Sequence, residues 1–284
     1  MKFSRFVPAF VCIFLSSGLL FSSAMPRQKQ PLAGRYLGFD LNEYPGDDAL
    51  PVLRKTFSFA GYWLSPPPGE KHSTWLGKRA LLQAQGFGFV VLFNGRESRN
   101  LKTARDARQK GVLDGENAAK LARQEGFPSG TVIFLDIEEG GRLSAAYHDY
   151  VNAWIDALAK ANCRAGVYCS GMPVDEGGGV SITTAKDLQD HLGGRKLVFW
   201  VYNDACPPSP GCIFPNTPPT VEQGGFPEAA LWQYAQSPRR KEFTAHCSST
   251  YAGDGNCYAP GDSAHKWFLD LNVATSRNPS WPGE

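Results

Sequence analysis

The stretch Thr131-Val132-Ile133-Phe134-Leu135-Asp136-Ile137-Glu138 decides how this chain folds. Its apolar, β-branched run is that of a buried strand, and it ends on two carboxylates two positions apart. Residues i and i+2 of a strand point to one face, so Asp136 and Glu138 share a direction about 6–7 Å apart along the chain. Two neighbouring carboxylates resist ionising together, and one tends to keep its proton. That pairing is what general-acid cleavage of a glycosidic bond requires. An exposed acidic strand end is the plainer reading of the same residues.

Working outward, short apolar runs alternate with amphipathic segments from Gly34 onward. Strands are expected at Tyr36–Leu41, Ala60–Leu64, Phe87–Phe93, Thr131–Ile137, Arg164–Cys169, Leu197–Tyr202, Ala230–Tyr234 and Phe268–Val273. Helical patterns cover Asp47–Lys55, Trp75–Gln85, Gly115–Glu125, Ser144–Asn162 and Thr183–His191. The longest puts Tyr147, Tyr150, Val151, Trp154, Ile155 and Leu158 on one face, which reads as core packing. After the sixth strand the helices stop, and Cys206–Pro227 and Ser237–Gly261 are rich in Pro, Gly, Ser and Cys. Five βα units followed by three strands predict an α/β fold, a (β/α) TIM-type barrel with a degenerate second half, (β/α)5β3-like. An open doubly wound sheet would carry a nucleotide-binding glycine signature, and none is present.

Barrels of this type place catalytic groups at the C-terminal ends of their strands. Strand one ends on Asp40, strand four on Asp136 and Glu138, and strand eight carries Asp270 and Asn272. If the barrel closes, strands one and eight are neighbours, so Asp40 and Asp270 face the mouth together, across from Asp136 and Glu138. Tyr62, Tyr168, Trp200, Trp232 and Tyr234, with Asn203 and Gln233, stand at or near strand ends too. Flat rings with polar tips suit sugar faces; interior packing is the competing reading for Trp200 and Trp232.

Other chemistries find less support. Tyr168-Cys169-Ser170-Gly171 lacks the G-x-S-x-G turn of a nucleophile. Gly86-Phe87-Gly88 precedes a strand rather than following one, so it is no phosphate loop. The histidines at 72, 148, 191, 246 and 265 show no ligand spacing, and no CxxC or HExxH occurs, so neither metal nor cofactor is expected. Arg239-Arg240 reads as a solvated loop pair before it reads as an anion receptor.

Lys2 and Arg5 precede an apolar run, Phe6–Phe21, interrupted by Pro8, Ser16, Ser17 and Gly18 and followed by Ser22-Ser23-Ala24. This predicts a signal peptide over residues 1–24, cleaved near Ala24, and a single barrel domain over 25–284 that is secreted or periplasmic, with no membrane span left after cleavage. The full chain has 29 basic and 27 acidic residues. Cleavage removes two bases and no acid, and a balanced chain has no general attraction for nucleic acid. Six cysteines lie in the mature part, an even number that suggests disulfides. Cys206 to Cys212 looks like one stapled loop and Cys247 to Cys257 brackets another, while a strand holds Cys163 and Cys169 apart.

Together these stretches resemble the bacterial exported glycoside hydrolase-like domain family of the Rv2525c-like type. The similarity runs from Gly38-Phe39-Asp40 to Asn278-Pro279-Ser280 and includes Gly61-Tyr62-Trp63-Leu64, Trp75-Leu76-Gly77-Lys78-Arg79, Phe134-Leu135-Asp136-Ile137-Glu138 and Trp232-Gln233-Tyr234-Ala235-Gln236-Ser237-Pro238-Arg239-Arg240. That family looks related to the family-25 lysozymes, whose first-strand Asp, strand-four D-x-E motif and last-strand Asp match Asp40, Asp136-Ile137-Glu138 and Asp270. The resemblance implies Glu138 as proton donor, Asp136 as its assistant, Asp40 and Asp270 shaping the field, and peptidoglycan or another polysaccharide as substrate. A catalytically inactive glycan-binding module on the same barrel is the alternative, and a cation site built from the acids a third.

Overall fold

The computed structural model describes Met1, residues 34–215 and residues 217–281; the expected signal peptide lies outside them. Strands β1 (Tyr36–Asp40), β2 (Phe59–Trp63), β3 (Gly88–Asn94), β4 (Val132–Asp136) and β5 (Arg164–Ser170) run parallel side by side. A two-stranded hairpin, β6 (Val174–Gly177) and β7 (Val180–Ile182), follows β5 and stands apart. The wall resumes with β8 (Val198–Tyr202), β9 (Ala229–Ala235) and β10 (Asp270–Ala274), and the order β1-β10-β9-β8-β5-β4-β3-β2 closes a barrel. The eight-stranded TIM-type barrel expected from the alternation is therefore the fold.

One wall strand breaks the parallel rule. β10 is antiparallel to both β1 and β9, with Asp40 opposite Asp270. Asp270 therefore reaches the mouth from the beginning of its strand, whereas Asp40 and Asp136 reach it from the ends of theirs.

Helices α1 (Leu50–Leu53), α2 (Arg79–Ala84), α3 (Ala104–Gln124), α4 (Ala145–Lys160) and α5 (Thr184–Asp190) occupy the expected intervals. α4 starts on a Ser144 cap, whose hydroxyl accepts the Tyr147 N–H. Its predicted apolar face is buried, Trp154 completely. α3 begins eleven residues before the expected Gly115. Its first half is too polar to show an apolar stripe, but Gly111 and Gly115 bring its backbone against α4. A Cβ on Gly111 would lie 2.3 Å from the Tyr150 carbonyl oxygen.

Aromatic rings and glycines share the lumen. Phe134 and Trp200 meet edge to face with ring centroids 5.9 Å apart. Gly166 leaves room for Phe134, and Gly38 for Phe59; a Cβ on either would come within 2.5 Å or 2.1 Å of the facing ring. A Cβ on Gly61 would sit 2.6 Å from the Asp40 Cβ. Gly61→Ala is thus expected to cost about 1–3 kcal/mol through overpacking, read as a lower Tm; an unchanged Tm would show that the wall simply moves aside.

The cysteines pair differently from the loops proposed for them. The bonds are Cys206–Cys247 and Cys212–Cys257, so each crosses from the β8–β9 connection to the β9–β10 connection. The two connections lie against one another at the barrel end, as the Cys212 N–H to Thr250 hydroxyl bond of 3.0 Å also shows. Cys163 and Cys169 are free, separated by β5.

Candidate active site

Strand parity and two amides build the site. β1, β4 and β10 each turn one acid into the lumen, and β9 adds Gln233 between them. Asn272 donates from Nδ2 to Asp40 Oδ1 at 2.6 Å, and Gln233 Nε2 lies 3.1 and 3.3 Å from the two Asp40 oxygens and 3.4 Å from Asp270 Oδ2. Neither amide is free to turn over. Gln233 Oε1 accepts the Tyr168 hydroxyl at 2.6 Å, and Asn272 Oδ1 accepts the Trp200 indole N–H at 3.0 Å. Each amide therefore presents its NH2 to the acids. The Ser237 N–H, at 2.6 Å, holds the other Asp270 oxygen.

Asp136 is buried, and its Oδ2 has no hydrogen-bond partner. Burial, followed by the charges of Glu138 and Asp40, pushes its pKa well above the usual carboxylate range. Glu138, just beyond β4, keeps accessible surface in a cleft while protein crowds its other sides. That crowding raises its pKa, and the Arg240 guanidinium pulls the other way. The two carboxyls are thus coupled, and the more deeply buried Asp136 is raised the further. Burial raises Asp40 to about 6, with Asn272 and Gln233 opposing. Asp270 is likewise raised, by burial and by the charge of Asp40.

The sign of the resulting pH dependence follows. A carboxyl raised in the fold binds its proton more tightly there than in the unfolded chain, so its ionisation costs native stability as pH rises through its folded pKa. For Asp40 that loss falls between about pH 4 and 6. Asp136→Asn replaces the carboxyl that burial keeps protonated in the fold with an amide, whose N–H stands in for that proton. We expect it to stabilise the protein by about 1–2 kcal/mol above pH 6, with the gain vanishing near pH 3.5, where both forms are neutral. Thermal melts across pH decide this; a gain equal at both ends would point to packing instead.

Two clefts open on the acids. One, of ≈ 720 Å³, is bordered by Asp136, Glu138, Asn94, Arg96, Asn117 and Tyr147. The other, of ≈ 630 Å³, is bordered by Asp270, Asn42, Tyr44, Lys266, Trp267 and Phe268. The loop after β2 borders both, with Pro68 and Gly69 on the first and Glu70 on the second.

Asp40, Asp136, Glu138, Asp270, Gln233, Asn272, Tyr168 and Trp200 are thus brought together. Tyr168 and Trp200 are buried under the acids as hydrogen-bond donors, without a ring face open to a sugar. Tyr62, Trp232, Tyr234 and Asn203 are not part of the group. Tyr62 faces the helix layer, where its hydroxyl bonds Glu125 and its ring meets Trp75 and Phe127. Trp232 and Tyr234 have the parity opposite to Gln233; the Trp232 indole donates to the Asn203 carbonyl at 2.9 Å. Asn203 pins the β8–β9 connection through Nδ2 to the Gly224 carbonyl at 3.2 Å.

Sequence reasoning missed the aromatics of the second cleft: Tyr44 and Trp267 lie in loops, and Phe268, expected to open the last strand, stands before β10 instead. It also undervalued Arg240. Far from being solvated, Arg240 pairs with the fully buried Asp204 through both carboxylate oxygens and lies over the Tyr202 and Phe243 rings. Asp204, immediately after Asn203 at a strand end, was the available signal.

Comparison with known proteins speaks to the fold and the family. No curated protein matches the chain. An uncharacterized B. stearothermophilus protein of known structure shares the fold, with a TM-score of 0.54 and 17% identity over 84% of this chain and 95% of that one. The Mycobacterium tuberculosis Tat-secreted protein Rv2525c gives a TM-score of 0.48 at 17% identity, covering 86% and 96% of the two chains. The bacterial lysozyme from Streptomyces coelicolor gives 0.43 at 14% identity, covering 84% and 90%. Residues 73–237, more than half the length, match the profile of the Rv2525c-like, glycoside hydrolase-like domain, and the chain belongs to that family.

Proposed function

We propose that this protein is an exported glycoside hydrolase that cleaves peptidoglycan or a related polysaccharide, with Glu138 as proton donor and Asp136 as its proton partner. The observation that carries the reading is the carboxyl pair at the end of β4: Asp136 buried with an unpartnered oxygen, Glu138 open to a cleft. When a glycosidic oxygen takes its place at Glu138, the shared proton passes from Asp136 through Glu138 to the leaving oxygen. The charge left on the pair, with Asp40 and Asp270 behind it, stabilises the oxocarbenium-like sugar. Locked amides keep Asp40 oriented without neutralising it.

Clefts on both sides of the acids suit a polymer crossing the mouth. The exposed Phe268 ring, beside the half-buried Trp267, offers sugar contacts that the buried Trp200 and Tyr168 cannot. Two disulfides support passage through an oxidising compartment. No helix among the described residues is long and apolar enough to cross a membrane.

The test is digestion of purified peptidoglycan and a panel of soluble glycans, with products identified by mass spectrometry. New reducing ends from one linkage establish the hydrolase and name its bond. Retention on a glycan without any product would instead establish the binding module.

A further inference from the structure

Histidines without ligand spacing in the sequence come together in space. His148 lies on the first turns of α4, and His191 caps the C-terminal end of α5, which also carries Asp187. Their imidazoles stack with centroids 3.8 Å apart and planes within 9°. Both turn a nitrogen to the same carboxylate. His148 Nε2 is 2.7 Å from Asp187 Oδ2, and His191 Nδ1 is 3.5 Å from Asp187 Oδ1. One ligand atom from each residue lies within 4.8 Å of the others.

We propose that His148, Asp187 and His191 form a site for a divalent transition metal of the zinc, nickel or copper class. Two imidazoles and one carboxylate are the donors such ions prefer, whereas calcium and magnesium want an oxygen cage that is absent at this cluster. A tetrahedral ion with bonds of about 2.0–2.2 Å holds its ligands roughly 3.3 Å apart. The stacked rings aim their in-plane lone pairs along parallel planes, so the exposed His191 ring must turn out of the stack for both imidazoles to converge on one ion.

Supporting groups are already in position. Asp187 is fully buried, and the Leu143 N–H holds its Oδ2 at 2.9 Å. Such an outer bond fixes a ligating carboxylate. Arg142, 3.5 Å from Oδ1, is occupied by a bidentate pair with Glu176, which offsets its repulsion of a cation. His191 is 44% exposed and gives an ion access from solvent. Its Nδ1 meets the Asp187 carbonyl at 2.7 Å. Metal binding therefore exchanges that contact for the ion and moves the ring proton to Nε2.

The ion would stiffen the segment that carries Glu138. Thr184, at the start of α5, donates to the Glu139 carbonyl at 3.2 Å and the Gly141 carbonyl at 3.0 Å, and Leu143 holds Asp187 itself. The site neither uses the four acids nor depends on glycan cleavage.

The experiment is calorimetric titration and thermal melting of the chelator-stripped mature protein with Zn2+, Ni2+, Ca2+ and Mg2+. We expect one equivalent of Zn2+ to bind and, at about 100 times its Kd, to raise Tm by about 5–10 °C, with no response to Ca2+ or Mg2+. His191→Ala, at an exposed ring, should fold and bind at least about tenfold more weakly. Cys163→Ser, which removes the half-buried free thiol, should bind as wild type does. Absence of stoichiometric Zn2+ binding, or equal affinity in His191→Ala, would overturn the site.

Discussion

Glu138→Gln should lower glycan turnover by about 10²–10⁴-fold, the usual worth of a positioned general acid, with little change in Tm. Glutamine keeps the shape of the side chain, and the position is more open to solvent than Asp136, so folding should respond less than to Asp136→Asn. What the amide cannot do is take the Asp136 proton and pass it on. Asp136→Asn should behave differently. It leaves a titratable Glu138 in the cleft but removes the buried reservoir, so its signature is a displaced acid limb of the pH–rate profile together with the stability gain described above. Steady-state rates across pH for the three proteins separate the roles. Turnover by Glu138→Gln within a few-fold of wild type would exclude this residue as the donor.

The second large effect belongs to the crossed disulfides. Cys206–Cys247 and Cys212–Cys257 join residues 41 and 45 positions apart, in connections with little regular structure beyond short 3-10 turns. Loop-closure entropy for rings of this size gives about 4 kcal/mol each, or a fall in Tm of about 8–16 °C for one bond removed. The two effects should not add, since either bond restrains both connections. Paired Cys→Ser variants, melted oxidised and with reductant, test this; a Tm insensitive to both treatments would mean that packing alone holds the connections. Because Ser237 and Asp270 lie at the ends of one of them, activity should fail at a lower temperature than the β4 carboxyl pair alone would suggest.

Much of this was legible in the chain because barrel strands have strong local signals. The run into Asp136-Ile137-Glu138 announced a central strand that carries two acids to the barrel mouth, and eight apolar runs announced closure. Parity was harder. β9 is apolar on both faces, so nothing in Ala229–Ala235 marks Gln233 as the lumen residue and Trp232 and Tyr234 as its opposites. Direction was also hidden: Asp270 reads the same whether its strand runs toward the mouth or away from it. The β6–β7 hairpin turns on three glycines with positive φ, Gly177, Gly178 and Gly179, and its strands are too short and exposed to show an apolar pattern. Disulfide pairing depended on which loops adjoin, which spacing alone does not encode.

The locked amides have a consequence for how protons travel. From Tyr168 through Gln233, and from Trp200 through Asn272, the donors run toward Asp40, with Gln233 also reaching Asp270. Amide nitrogens do not surrender protons near neutrality, so this circuit is an insulator rather than a wire. Protons must reach the four acids from the two clefts. A glycan lying over both would seal the charge state of the mouth on arrival, and the pH of the medium would then act on encounter rather than on the bound complex. Calorimetric binding of a glycan fragment to the Glu138→Gln protein in buffers of different ionisation heat would register that captured or expelled proton directly.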